Sequence, residues 1–103
     1  MTIIEKSAFS WCKSLASVTI PNSVTTIENY AFLNCSSLTS VTIGNSVTTI
    51  GDSAFASCSS FNPLVIPNTV TTIGSSAFDG VPKVIYNGTA EGSPWGAREV
   101  AAS

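Results

Sequence analysis

The chain has 103 residues, of which 44% are hydrophobic and 10% charged, with net charge −2 and no histidine. That is one domain's worth of sequence, too apolar and too weakly charged for a disordered tail, and its wealth of Ser, Thr, Val and Ile leans towards β structure. The basic residues Lys6, Lys13, Lys83 and Arg98 form no cluster, which argues against a nucleic-acid partner. No stretch approaches the ~20 apolar residues that span a bilayer. The opening MTIIEKSAFSW shows no charged leader followed by an apolar run, so no signal peptide is read there.

In chain order, the first element to notice is one that returns. Ala8-Phe9, Ala31-Phe32, Ala54-Phe55 and Ala77-Phe78 stand 23 residues apart without insertion. The units are 4–26, 27–49, 50–72 and a degenerate 73–95. A fixed period in the range of about 20–50 residues marks a solenoid, in which each coil buries its apolar face only by stacking on its neighbours. The expectation is a single domain over 1–103.

Within a coil, SLTSVTI (Ser37–Ile43) places Val41 and Ile43 on one face and Thr42 on the other, the pattern of a half-buried strand. Pro21, Gly44 and Pro67 end that strand, and Asn22, Asn45 and Asn68 carry the turn after it. SVTTIG predicts a second short strand with Val47 and Ile50 inward. DSAFASC spaces Ala54, Phe55 and Cys58 three to four residues apart, which predicts one helical or 3₁₀ turn capped by Asp52 or Ser53. The expected class is therefore a β-rich α/β solenoid of about four coils, with parallel strands and short helical turns.

Later coils depart from the pattern. Phe61 replaces the usual Leu and Pro63 enters the strand, where it must sit at a point that needs no ladder N–H. Val81 replaces Cys, and after Val84 the repeat dissolves. Tyr86, Pro94 and Trp95, with turns at Asn87-Gly88 and Glu91-Gly92-Ser93, predict a C-terminal cap over about 84–103. No such cap precedes Ile4. The first coil is expected to leave Ile4, Phe9, Leu15, Val18, Ile20 and Val24 against solvent on one side. That predicts either the C-terminal piece of a longer solenoid or self-association through the first coil.

The segments LASVTIPNSVTTIENYAFLNC (Leu15–Cys35), LTSVTIGNSVTTIGDSAFASC (Leu38–Cys58) and FNPLVIPNTVTTIGSSAF (Phe61–Phe78) closely resemble the leucine-rich repeat family in its Treponema-type, BspA-like branch. The resemblance runs over about nine tenths of the chain. It implies a right-handed coil and a surface or secreted protein with an adhesive or protein-binding role. The implied partner is a protein or glycan, such as a host extracellular-matrix protein, and no ligand is identified by it.

Residues that carry chemistry are scarce. Cys12, Cys35 and Cys58 fall in one column 23 apart with parallel side-chain vectors, unlike the converging ligands of a zinc site. They read as small apolar filling. A disulfide between adjacent rungs is disfavoured by the same vectors. Without His there is no Ser-His-Asp triad. Glu5 and Glu28 share a column with Gly51 and Gly74 and read as solvated turn residues, with a weak cation site as the alternative. Asn34-Cys35-Ser36 and Asn87-Gly88-Thr89 match the glycosylation sequon, a pattern common by chance. No catalytic, cofactor or metal residue is assigned, and the chain is not expected to be an enzyme.

The remaining candidate is the outward face of the longer strands: Ser17, Thr19, Thr39, Ser40, Thr42, Asn62 and Val65. Small uncharged side chains would pave this face, the extended surface that solenoids offer to partners. The plainer explanation is that Thr suits strands and keeps a sheet soluble. The two functional readings are accordingly an interaction module that binds through this face, and a structural spacer or terminal cap of a longer array with no ligand of its own.

Overall fold

The β-branched runs become strands wherever they recur. In the computed structural model, which describes residues 2–61, 63–92 and 94–102, the strands are β1 (Ile3–Ile4), β2 (Ser17–Ile20), β3 (Thr26–Ile27), β4 (Ser40–Ile43), β5 (Thr49–Ile50), β6 (Leu64–Ile66), β7 (Thr72–Ile73), β8 (Val84–Tyr86) and β9 (Val100–Ala101). All pairings are parallel. The two-residue strands stack as β1-β3-β5-β7, with Ile4, Ile27, Ile50 and Ile73 in register. The longer strands form two further sheets, β2-β4 and β6-β8, the second extended by the two-residue β9. This is a parallel-strand β-solenoid of about four turns.

The α/β expectation fails at the turn segments, for none of the described residues is helical. From Gly51 to Cys58 the N–H groups of Ala54, Ala56 and Cys58 donate three residues back, to the carbonyls of Gly51, Ser53 and Phe55. The intervening N–H groups leave the coil. Ser53, Phe55 and Ser57 donate to the carbonyls of Ser75, Ala77 and Asp79 in the next coil, at 3.1, 2.8 and 2.6 Å. A helix would need every N–H for its own turn. Backbone reversal at matched positions enforces the alternation: φ is positive at Ser7, Tyr30, Ser53 and Ser76, and again at Trp11, Asn34, Ser57 and Gly80. The three-to-four-residue spacing thus reports consecutive β-turns. Nor does Asp52 cap its own coil: its Oδ1 accepts the Ser75 N–H at 2.9 Å, while its N–H donates to Asn29 Oδ1 at 2.8 Å.

The apolar partition is as the pattern predicts, with Ala54, Phe55 and Cys58 fully buried. Phe9, Phe32 and Phe55 stack with ring centroids 5.3 and 5.1 Å apart and nearly parallel planes. The stack runs on to Phe78 at 6.1 Å and meets the edge of Trp95 at 5.9 Å. Offset and edge contacts of this kind add to the burial of large apolar area. Beyond Phe78 the bond pattern is taken over by a new segment, for the N–H groups of Phe78 and Gly80 donate to the Trp95 and Gly96 carbonyls. Trp95 Nε1–H donates to the Glu91 carbonyl at 3.0 Å, and the Tyr86 hydroxyl donates to the Val70 carbonyl. Ser93, which completes the expected Glu91-Gly92-Ser93 turn, lies outside the described residues.

The first coil is less exposed than its sequence predicts. Ile4, Ile20 and Val24 are buried, because they point between the two strand layers, and only Phe9, Leu15 and Val18 are left half-buried.

Candidate interaction surface

The outward residues of β2 and β4 stand side by side. Ser17 pairs with Ser40 and Thr19 with Thr42, all exposed. Thr39 is exposed just before β4, but its hydroxyl and N–H both reach back to the Ala16 carbonyl, at 3.3 and 3.0 Å. Val65 projects from β6 at 55% exposure. Asn62 lies outside the described residues.

Between β4 and β6 the ladder stops, as the two strands share no sheet. Pro63 supplies the reason. The Leu64 N–H is directed to β8, donating to the Lys83 carbonyl at 2.9 Å. Successive backbone groups of a strand face opposite neighbours, so the nitrogens of Pro63 and Val65 face β4. At Pro63 there is no hydrogen to give. The strand face is therefore split where the turn side is continuous.

The split opens a groove of about 370 Å³ lined by Val41, Thr42, Ile43, Asn45, Val65 and Pro67. Its floor is apolar. Ile43 sits in the middle of a column whose neighbours Ile20 and Ile66 are 2% and 3% exposed, yet Ile43 itself is only half-buried. In an unbroken stack the central rung is the best covered, so this inversion marks the defect. The groove unites Thr42 and Val65 with Val41 and Ile43, which the alternation assigns to the core, and with Asn45 and Pro67, which belong to the turn after the strand. The signal that pointed to them was Pro63, read only as a constraint on the strand.

The two buried rungs of the cysteine column offer no reactive group. All three thiols are free, with Cys12 half-buried and the other two fully buried. Cys35 Sγ–H donates to the Phe9 carbonyl at 3.0 Å and Cys58 Sγ–H to the Phe32 carbonyl at 3.1 Å. Burial pushes the Cys35 thiol up and the Cys58 thiol up to about 12, which disfavours the thiolate that reactions and metals need. Among the described residues no three His, Cys, Asp or Glu side chains converge as metal ligands. No described helix is long and apolar enough to cross a membrane.

A family profile described as BspA type leucine-rich repeat region (6 copies) matches residues 1–87. The chain belongs to the BspA-type leucine-rich repeat family. Among solved structures, a leucine-rich repeat protein of T. pallidum (TpLRR) is similar, with 27% identity and a TM-score of 0.61 over 82% of this chain and 52% of that one. One from Bacteroides ovatus has 26% identity and a TM-score of 0.61 over 98% of this chain and 31% of that one. The chain thus spans about half and about a third of these two proteins. No curated protein matches it. A leucine-rich repeat fold of this type points to a protein-interaction module, and members of the family are often surface or secreted proteins.

Proposed function

We propose that this BspA-type leucine-rich repeat chain binds a protein partner through its strand face, as part of a surface or secreted adhesive protein. The observation that carries the reading is the β4–β6 groove, where an apolar floor of Val41 and Ile43 opens beside exposed Val65 on an otherwise Ser/Thr-paved sheet. An apolar side chain of the partner fills the groove while hydroxyls and backbone groups satisfy its rim, the arrangement of an anchor in a polar surround. Ser17, Thr19, Ser40 and Thr42 form the rim on the β2 side and Val65 forms the other wall. No catalytic step is assigned to any residue.

Such a face lacks Trp, Tyr or Arg anchors of its own, so one copy binds weakly and gains from repetition along a longer array. Binding to a panel of immobilised extracellular-matrix proteins tests the reading, with wild type compared with Val65→Arg and Thr19→Arg/Thr42→Arg. Loss in both variants with folding intact supports it. Equal binding by all three, or none by wild type, favours the alternative of a spacer that ends a longer array, for which the Tyr86–Trp95 packing beyond the last Phe rung speaks.

A further inference from the structure

The outward residues of the strand side change character part-way along the solenoid. β2 and β4 both read SVTI, with Ser17, Thr19, Ser40 and Thr42 outward and exposed. Such alternation belongs to a sheet with one face in water. β6, β8 and β9 do not alternate; they read LVI, VIY and VA. Leu64, Ile66, Val84 and Tyr86 are buried on the inner face, yet the outer one holds Val65 at 55% exposure and half-buried Ile85 and Ala101. Parallel strands that are apolar on both sides are those covered on both faces. Here the outer face is open.

Register gathers these residues into a strip. Val65 pairs with Ile85 and Ile85 with Ala101, which continues the column that begins with Thr19 and Thr42. Two residues earlier on the same face stand Lys83 and Glu99, on adjacent rungs because Val84 pairs with Val100. Their carbonyls accept the Leu64 and Val84 N–H groups at 2.9 and 2.8 Å, which anchors both backbones in the ladder. Among the described residues neither side chain makes an ion pair. The apolar strip is thus edged by one cation and one anion, about 4.8 Å apart along the solenoid.

A surface that carries the same pattern in reverse order satisfies both parts, and a second copy of this chain supplies one. A two-fold axis along the strands, between β8 and β9, lays β8 of one copy over β9 of the other. Ile85 then faces the partner's Ala101, large against small, and Lys83 faces the partner's Glu99, each contact being made twice. We propose that the outer face of β8 and β9 pairs with the same face of a second copy as an isologous dimer. The strip is short, which puts the interface among transient ones of under about 1,200 Å², with a dissociation constant on the order of 100 µM. It uses neither the first coil nor the Ser/Thr rows, so it stands independently of the partner reading for the groove.

Sedimentation equilibrium at low salt, from about 10 µM to about 1 mM protein so as to bracket that affinity, compares wild type, Ile85→Arg, Lys83→Glu, Glu99→Lys and an equimolar mixture of the last two. Wild type should pass from monomer to dimer over this range. Ile85→Arg and each charge reversal alone should bind at least tenfold more weakly, since each reversal sets two like-charge contacts in place of two opposite ones. The mixture should regain a dimer within about threefold of the wild-type affinity, because the carboxylates of one variant then face the ammonium groups of the other. Misfolded single variants could not recover in this way. A wild type that stays monomeric, a dimer unchanged by Ile85→Arg or by the charge reversals, or a mixture no more associated than its components overturns the proposal; persistence in Ile85→Arg would assign self-association to another surface, such as the first coil.

Discussion

The two sides of this solenoid obey the same period and come out differently. On the turn side, every rung is kept: β1, β3, β5 and β7 pair in one register and the phenylalanine rings run from Phe9 to Phe78 without a gap. On the strand side, one proline divides the sheet into β2-β4 and β6-β8-β9. A repeat protein is stabilised by contacts between neighbours, so an unbroken ladder on one side allows a defect on the other. The intact side holds the coils together, and the broken one leaves a concave groove with an apolar floor.

The largest effect that would break this contrast is the loss of a central ring. Phe55→Ala removes a fully buried side chain that contacts Phe32, Phe61 and Phe78, and should cost about 3–5 kcal/mol in denaturant unfolding. Phe9→Ala, at a half-buried ring, should cost well under that. A smaller asymmetry is expected at the glycines. A Cβ on Gly74 would lie 2.5 Å from the Asp52 nitrogen and 2.6 Å from the Gly51 carbonyl carbon, backbone atoms that cannot swing away. Gly74→Ala should cost about 1–3 kcal/mol. At Gly44 the tightest neighbour is the Asn22 side-chain oxygen at 2.5 Å, with backbone no nearer than 3.1 Å. Gly44→Ala should therefore cost visibly less, and equal losses would remove the distinction.

Alkali should act on the same buried stack. The Cys58 thiol is held up to about 12 from an ordinary 9.0 by burial, so between these values the unfolded chain releases a proton that the folded chain keeps. Stability then falls as pH rises above about 9, by at most about 1.4 kcal/mol per pH unit from this group. Cys58→Ala should flatten that part of the curve, read by urea midpoints from pH 8 to 10.5. The smallest effect concerns the split itself. Pro63→Ser restores the residue type of Ser17 and Ser40 and returns an N–H facing β4, which should add about 0.5–1 kcal/mol as the ladder closes.

Much of this was legible in the residues. The 23-residue period fixes which side chains share a column, and the inward set Val24, Val47 and Val70, or Ala31, Ala54 and Ala77, is buried accordingly. The turn segments misled because apolar residues spaced three and four apart fit both a helical turn and a pair of β-turns. What separates them is the destination of alternate N–H groups, which depends on a coil 23 residues away. The strand face was legible as a row of small polar residues. The groove within it was not, since its lining comes from both sides of a broken pairing and includes Val41 and Ile43, which the alternation assigns to the core.

The most direct test of the account is amide hydrogen exchange of the wild-type chain and Pro63→Ser. Exchange should be slow at Gly51, Phe55 and Gly74, whose N–H groups lie on the continuous ladder, and fast at Val65 beside the split, slowed at least tenfold in Pro63→Ser. A Val65 amide as protected as Phe55 in the wild type would mean that β4 and β6 are zipped in solution, and the groove would lose its cause.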